Sequence, residues 1–193
     1  MRRVNVARTL ARSAANGPGE RYVIWVQGCA LACVGCWNSD TWSFARRELR
    51  TVDDLVADIL ATPDIEGVTF TGGEPMAQAG ALAELARRVR AAGLSVLVFT
   101  GHTLAELTRA AQQDLLALAD VVVSGRYDER RRTADLPWRG STNQGVHFVS
   151  DRYGPHDLDG APVVELRLEP SGELVATGFP VDWLAELGAG QAV

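Results

Sequence analysis

The chain has no lysine, and its 193 residues include only three cysteines. All 19 basic residues are arginine, a compositional bias shared with its abundant alanine that carries no functional meaning. Positive charge is not in excess: 24 acidic residues leave a net charge of −5, which excludes a general nucleic-acid binder. No stretch approaches the roughly 20 uninterrupted apolar residues of a membrane span, because Arg, Asp, Glu or Gly breaks every run. Arg2, Arg3, Arg8 and Arg12 crowd the first residues without an apolar stretch of about 7–15 residues. No secretory signal is therefore expected, although a transit peptide stays compatible with that composition. Internal repeats and low-complexity segments are also missing. What is present, 47% hydrophobic and 22% charged residues, describes an ordinary globular chain with one core. The expectation is a single domain over 1–193 in the cytoplasm.

The three cysteines, Cys29, Cys33 and Cys36, fall in one short segment. An odd number so tightly grouped is a poor disulfide framework, and no other thiol exists to pair with the third. Three thiolates on one loop instead suggest a metal or cluster site in a reducing compartment. The spacing is C-x3-C-x2-C. Structural zinc usually takes four protein ligands, and His102, His147 and His156 are remote in sequence, although folding can bring one near. Buried inert thiols are the bland alternative. A [4Fe–4S] cluster fits better: cubanes usually take four thiolates, so three leave one iron open for chemistry. Small residues Ala30, Ala32 and Gly35 suit a loop folded closely round a cube.

Strand-like and helical segments alternate, which predicts an α/β arrangement with a parallel sheet. The pattern predicts strands at Tyr22–Gln27, Gly67–Thr71, Leu94–Thr100, Asp120–Ser124 and Val146–Val149. Helices are expected at Thr51–Ala61, with Thr51 as N-cap and Asp54 in the first turn, and at Ala79–Ala92, closed by Gly93. Thr103 and Glu106 form a capping-box pattern for a third helix through Ala117. Residues 1–21 read as an N-terminal extension. The polar stretch 126–145, with Arg130, Arg131 and Arg132 in a row, reads as a long loop of the kind that is usually functional or disordered. Over 163–193 the sequence suggests a hairpin, Val163–Leu168 and Glu173–Thr177 around Glu169-Pro170-Ser171-Gly172, and a short closing helix at Asp182–Leu187. A complete (β/α)8 barrel needs about 250 residues. With five or six countable units, a partial, laterally open (β/α)6-type TIM barrel is expected. The cysteine loop follows a strand directly, which puts it at the edge where α/β sites sit.

Gly72-Gly73-Glu74-Pro75 follows another strand. Paired glycines allow close backbone approach to a ligand, and Glu74 offers an acceptor for an ammonium group. Taken alone, such a turn is more often structural.

A C-x3-C-x2-C loop in this position, followed by that GGEP element, resembles the radical S-adenosylmethionine superfamily. The resemblance implies that the open iron chelates the amino and carboxylate groups of S-adenosylmethionine. One electron then yields a 5′-deoxyadenosyl radical that abstracts hydrogen. It also implies that Glu74 and adjacent backbone hold the methionyl ammonium. Flanking residues narrow the likeness: Asn16-Gly17-Pro18-Gly19-Glu20-Arg21, Trp25-Val26-Gln27-Gly28-Cys29, Trp37-Asn38 with Thr41-Trp42, Trp138 to Gln144, Ser171-Gly172-Glu173 and Thr177 to Pro180. This series is similar to the anaerobic ribonucleotide reductase activating proteins and their single-cluster relatives, which place a glycyl radical on a partner. The chain lacks the second cysteine-rich insert of activases with a ferredoxin-like module, and it has Gly35 where many superfamily members place an aromatic.

The weaker candidates each have a plain alternative. Trp37 is placed for adenine stacking or for the core. Thr100 and Gly101 end a strand at the catalytic edge, as does Ser124, and each equally suits an ordinary turn. Asn143 suits either ligand binding or a loop. The Arg130–Arg132 run is a solvated face, or else a site that steers an acidic partner or binds phosphate, and His102 reads as structural. The resemblance implies an activase that takes hydrogen from a glycine of a glycyl radical enzyme, fed by a flavodoxin- or ferredoxin-type reductant. A related enzyme acting on a small molecule or peptide is the second reading, and a non-catalytic iron–sulfur or zinc protein the third.

Overall fold

The computed structural model describes residues 2–161, 164–168, 172 and 174–179. A seven-stranded sheet carries the order β3-β1-β2-β4-β5-β6-β7. Its strands are β1 (Arg3–Ser13), β2 (Arg21–Val26), β3 (Glu48–Thr51), β4 (Gly67–Gly72), β5 (Ser95–Thr100), β6 (Val121–Ser124) and β7 (Gly145–Phe148). Strands β2, β4, β5 and β6 run parallel, while β1 and β3 on one side and β7 on the other pair antiparallel. The sheet is open, as the chain length requires, and the α/β class with a mainly parallel centre is the one the alternation predicts. Of the five sheet strands counted in the sequence, β2, β4, β5 and β6 are parallel and β7 pairs antiparallel with β6. A separate hairpin, β8 (Val164–Leu168) and β9 (Leu174–Gly178), follows. Asp182–Leu187 lies outside the described residues.

Helices α1 (Val52–Ala61), α2 (Ala79–Ala91) and α3 (Ala110–Leu118) contribute to one large core. Alternation along the strands does the sorting. Ile24, Phe70 and Val98 belong to this core with Leu55, Leu82 and Leu115. Their alternates Val23, Trp25, Leu97, Val121 and Val123 fall in two other clusters. Both faces of β2 are covered, and all six of its residues are buried. Helix ends follow the sequence closely. Thr51 and Asp54 close a reciprocal capping box at α1. After α2, Gly93 at φ 90° lets its own N–H reach the Arg90 carbonyl and the next N–H, of Leu94, reach the Val89 carbonyl. That pairing satisfies two of the carbonyls a helix end leaves open.

Three segments differ from the sequence reading. The N-terminal extension is an 11-residue strand with Val4 and Val6 in the core, an alternation masked by the intervening arginines. Glu48–Thr51 is an edge strand too charged to be recognised by pattern. The Thr103–Glu106 box forms, but it caps a single 3-10 turn, Leu104–Glu106; Leu107 then turns inward at 1% exposure, and α3 starts only at Ala110. Burying Leu107 outweighs continuing the helix.

Beneath the face opposite the helices, Arg21 is fully buried. Its guanidinium donates to Thr69 Oγ1 at 2.7 Å, Ser95 Oγ at 2.9 Å, Val68 O at 2.8 Å and Pro18 O at 3.0 Å. Burial lowers its pKa, but the fork fixes the starts of three strands by satisfying every branch.

Candidate functional site

The cysteine loop leaves the end of β2 and returns to it. Gly28 N donates to Thr41 O at 2.7 Å and Cys29 N to Trp42 O at 3.0 Å, closing the loop at its base. A 3-10 turn, Ser39–Thr41, completes the return. The adjacent strand end is laced to the same base: Gly73 N donates to Val26 O at 2.8 Å and Glu74 N to Gly28 O at 2.9 Å. A Cβ at residue 73 would stand 2.6 Å from the Gly28 carbonyl oxygen, so this approach requires glycine. Two motifs far apart in sequence are thereby joined through their backbones.

They share one cavity. Its lining includes Cys29, Cys33, Cys36, Trp37, Gly72, Gly73, Glu74, Thr100 and Gly101, that is, most of the residues the sequence singled out. Pro75 is buried and opens a 3-10 turn behind Glu74. Ser124 and Asn143 lie outside the lining. Ser124 pairs with His147 Nε2 at 2.8 Å, and exposed Asn143 donates to Arg126 O at 2.8 Å. In that stretch it is Gln144 that reaches the cavity: its Oε1 accepts from Gly140 N and Ser141 N, and its Nε2 donates to Gly125 O. The lining also holds Thr71 and Phe99, which the sequence did not single out, and Trp25, which it marked only as part of the stretch leading into Cys29. All three are alternates of the helix-side core positions, and that alternation is the signal that would have found them.

Glu74 is 3% exposed, and three donors hold it. Met76 N (2.8 Å) and Thr100 Oγ1 (2.9 Å) donate to Oε1, and Gly101 N (2.9 Å) donates to Oε2. Burial still pushes its pKa above the usual carboxylate range, against those donors. A cation brought to this carboxylate would relieve that cost. Burial likewise pushes up the Cys29 and Cys33 thiols. Cationic groups sit close by. Arg8 stacks over Trp25 at 5.0 Å and donates to Asn38 Oδ1 (2.7 Å) and Asp40 Oδ2 (3.0 Å), bracing the segment after Cys36. Arg132 from the 126–145 stretch lies over the Trp37 ring at 5.4 Å. That stretch is ordered, with an isolated bridge between Arg132 and Ser141 and with Trp138 wholly buried.

The donor set suits an iron–sulfur cluster. Among the described residues no three His, Cys, Asp or Glu side chains converge on one metal ion. A cubane asks for something else, since each thiolate binds its own iron. The glycine cradle at Gly72–Gly73 and the acidic pocket of Glu74 suit a ligand carrying an ammonium. Trp42, also on the lining, has a buried indole N–H with no partner among the described residues, a donor available to a bound acceptor.

Comparisons with known proteins show the family to which the chain belongs. The family model described as a 4Fe-4S single cluster domain matches residues 15–147. The anaerobic ribonucleoside-triphosphate reductase-activating protein of Vibrio cholerae is 38% identical over 140 residues, 68% of this chain and 90% of that protein. Its counterpart from Escherichia coli is 34% identical over 142 residues, 69% of this chain and 92% of that protein. The solved structure of QueE from Escherichia coli aligns at a TM-score of 0.46 and 20% identity, covering 52% of this chain and 54% of that one. The family match ends at residue 147, so the Ser171–Glu173 and Thr177–Pro180 stretches lie beyond it. No helix among the described residues is long and apolar enough to cross a membrane. The chain belongs to the 4Fe-4S single cluster family and is a radical S-adenosylmethionine enzyme, with a [4Fe–4S] cluster and S-adenosylmethionine as its cofactors.

Proposed function

We propose that this enzyme activates a glycyl radical enzyme of the anaerobic ribonucleotide reductase kind by taking hydrogen from a backbone glycine of that partner. The observation that carries the reading is the meeting of the C-x3-C-x2-C loop and Gly72–Glu74 in one cavity, in a chain 38% identical to a protein named as such an activator. Cys29, Cys33 and Cys36 hold the cluster and leave one iron for the second cofactor. Glu74 accepts from the ligand's ammonium while Thr100 and Gly101 keep its carboxylate aimed. Gly72 and Gly73 bring backbone against the ligand, Pro75 sets the turn behind it, and Trp37 offers a ring for the adenine. Ser124 and Asn143 hold the loops around the cavity. When bound, the two cofactors supply one-electron-driven hydrogen abstraction, and the protein binds, orients and excludes water. The electron comes from a flavodoxin- or ferredoxin-type reductant.

Electron paramagnetic resonance tests this directly. The cluster-loaded chain, dithionite and S-adenosylmethionine are mixed with a candidate reductase partner. A glycine-centred doublet is the expected signal. Formation of 5′-deoxyadenosine without any doublet across partners would favour a small-molecule or peptide substrate. That second reading draws support from one observation: residues beyond the family match, Thr177, Gly178 and Phe179, also line the cavity.

A further inference from the structure

We propose that the hairpin β8–β9 is a specificity wall, in which Thr177 and Phe179 shape the part of the cavity that admits the hydrogen donor and Glu165 anchors them. This inference rests on the radical reading only for what enters the cavity, not for the wall itself. Among the described residues the hairpin pairs with no strand of the main sheet. Its hold on the body comes from side chains. Glu165 Oε2 accepts from Ser13 Oγ at 2.7 Å and from Ala14 N at 3.1 Å, at the end of β1. Arg167 donates to the Arg12 carbonyl in the same segment. Across the hairpin, Thr177 is 1% exposed, and its Oγ1 accepts from Asn16 Nδ2 at 2.9 Å. Asn16 carbonyl oxygen in turn accepts from Thr69 Oγ1, so the contact reaches the floor of the sheet.

Beyond the hairpin's last strand, the Phe179 ring lies 6.0 Å from Phe99, tilted by 52°. Phe99 immediately precedes Thr100, which donates to Glu74. A Cβ at Gly140 would come within 3.4 Å of the Phe179 ring, so the ring also seals against the 126–145 stretch. The wall is thus an aromatic pair backed by a hydroxyl–amide hydrogen bond. Apolar pockets discriminate by size, at roughly 10–200-fold per methylene-sized change. The hairpin's share of this wall, Glu165, Thr177 and Phe179, lies beyond the family match, which covers residues 15–147, whereas Asn16 and Phe99 lie within it. The cofactor half of the cavity is shared with the family.

Two measurements test the wall, the first needing no cofactor. Acrylamide quenching is read from Trp25, at 4% exposure, and Trp138, which packs in the same cluster as Phe179, in a background where Trp37, Trp42 and Trp183 are replaced by phenylalanine. Glu165→Ala and Phe179→Ala are each expected to raise the quenching constant at unchanged far-ultraviolet circular dichroism, and Phe179→Leu serves if the alanine variant does not fold. Equal quenching in the folded variants overturns the wall. The second measurement uses the cluster-loaded chain with dithionite and S-adenosylmethionine. It offers N-acetylglycine amide and a glycine-centred alanine pentapeptide, both dideuterated at the glycine α-carbon. The ratio of deuterium transferred to 5′-deoxyadenosine from the two donors should shift toward the longer one by about tenfold in Phe179→Ala. It should shift the other way in Phe179→Trp. An unchanged ratio in both variants overturns the assignment of specificity. A native chain that makes no 5′-deoxyadenosine overturns the radical reading instead, and the quenching result still decides the wall.

Discussion

Cys33 and Glu74 line the same cavity yet should fail in different ways. Removing the Cys33 thiol takes away one of three soft ligands, so Cys33→Ala should lower the iron bound per chain after anaerobic reconstitution and abolish 5′-deoxyadenosine formation. Full iron content and full cleavage in that variant would remove Cys33 from the ligand set. Glu74→Gln keeps the shape and one acceptor oxygen but loses the charge. A hydrogen bond to a charged group contributes about 1.5–3 kcal/mol, so S-adenosylmethionine binding should weaken by about tenfold or more while iron content holds. Loss of iron instead would mean that Glu74 mainly maintains the backbone link to Gly28. Outside the cavity, Glu106 offers a pH test. It accepts from Thr103 N and Oγ1 and pairs with Arg126, and together these hold its pKa at about 2, below the ordinary carboxylate range. A depressed carboxylate adds stability that is present above its unfolded pKa and lost as pH falls through its folded one. Urea midpoints measured from pH 5 down to pH 2 should therefore fall less steeply in Glu106→Gln than in the native chain; parallel curves would mean the pair is silent.

Elements were legible where a local rule decided them. The α1 capping box and the glycine stop of α2 are set by a few neighbouring residues, so sequence suffices. Strand β1 was not legible, because arginines at 8 and 12 look like solvent positions. In the structure Arg8 is drawn over Trp25 and Arg12 makes ion pairs with Glu20 and Asp64 at the surface. Likewise the site motifs could be read because each is short and contiguous. The meeting of Trp25, Thr71, Phe99, Gln144 and Phe179 in one cavity could not: strand alternation marks the first three as facing away from the helices, but only strand order and the returning hairpin bring all five together. Arg21 belongs to that second class, a charged residue that no pattern would place at full burial. Breaking a buried charge network by removing one member costs about 3–5 kcal/mol. Arg21→Ala leaves Thr69 Oγ1 and the Pro18 and Val68 carbonyls without its guanidinium and Ser95 Oγ with Tyr153 as its remaining donor, so a loss of that size in denaturant unfolding is expected. A loss below about 1 kcal/mol, the scale of an ordinary neutral hydrogen bond, would show that water replaces the fork.

At the scale of the whole molecule, the helices and the cavity segregate. The helices bury their apolar faces in the large core, whereas the cavity is assembled from strand ends, the cysteine loop, the 126–145 stretch and the hairpin. Few of these cavity segments pair with one another as regular ladders. Their cohesion comes from single hydrogen bonds such as Gly28–Thr41, Glu74–Gly28 and Thr177–Asn16. Segments held this way open at lower free energy than core strands. A ligand that binds only the assembled cavity stabilises it by mass action, by about 2.7 kcal/mol at a hundredfold excess over the dissociation constant. Hydrogen exchange on the cluster-loaded chain, with and without S-adenosylmethionine, should therefore show slowed exchange concentrated at 28–42, 72–75, 100–102 and 125–144. Strand β4 and the inner face of α2 should change little, since they already exchange through global opening. Protection spread evenly over α1, α2 and α3 would mean that the cofactor stabilises the fold as one unit. The division between a rigid helical half and a ligand-completed half would then fail.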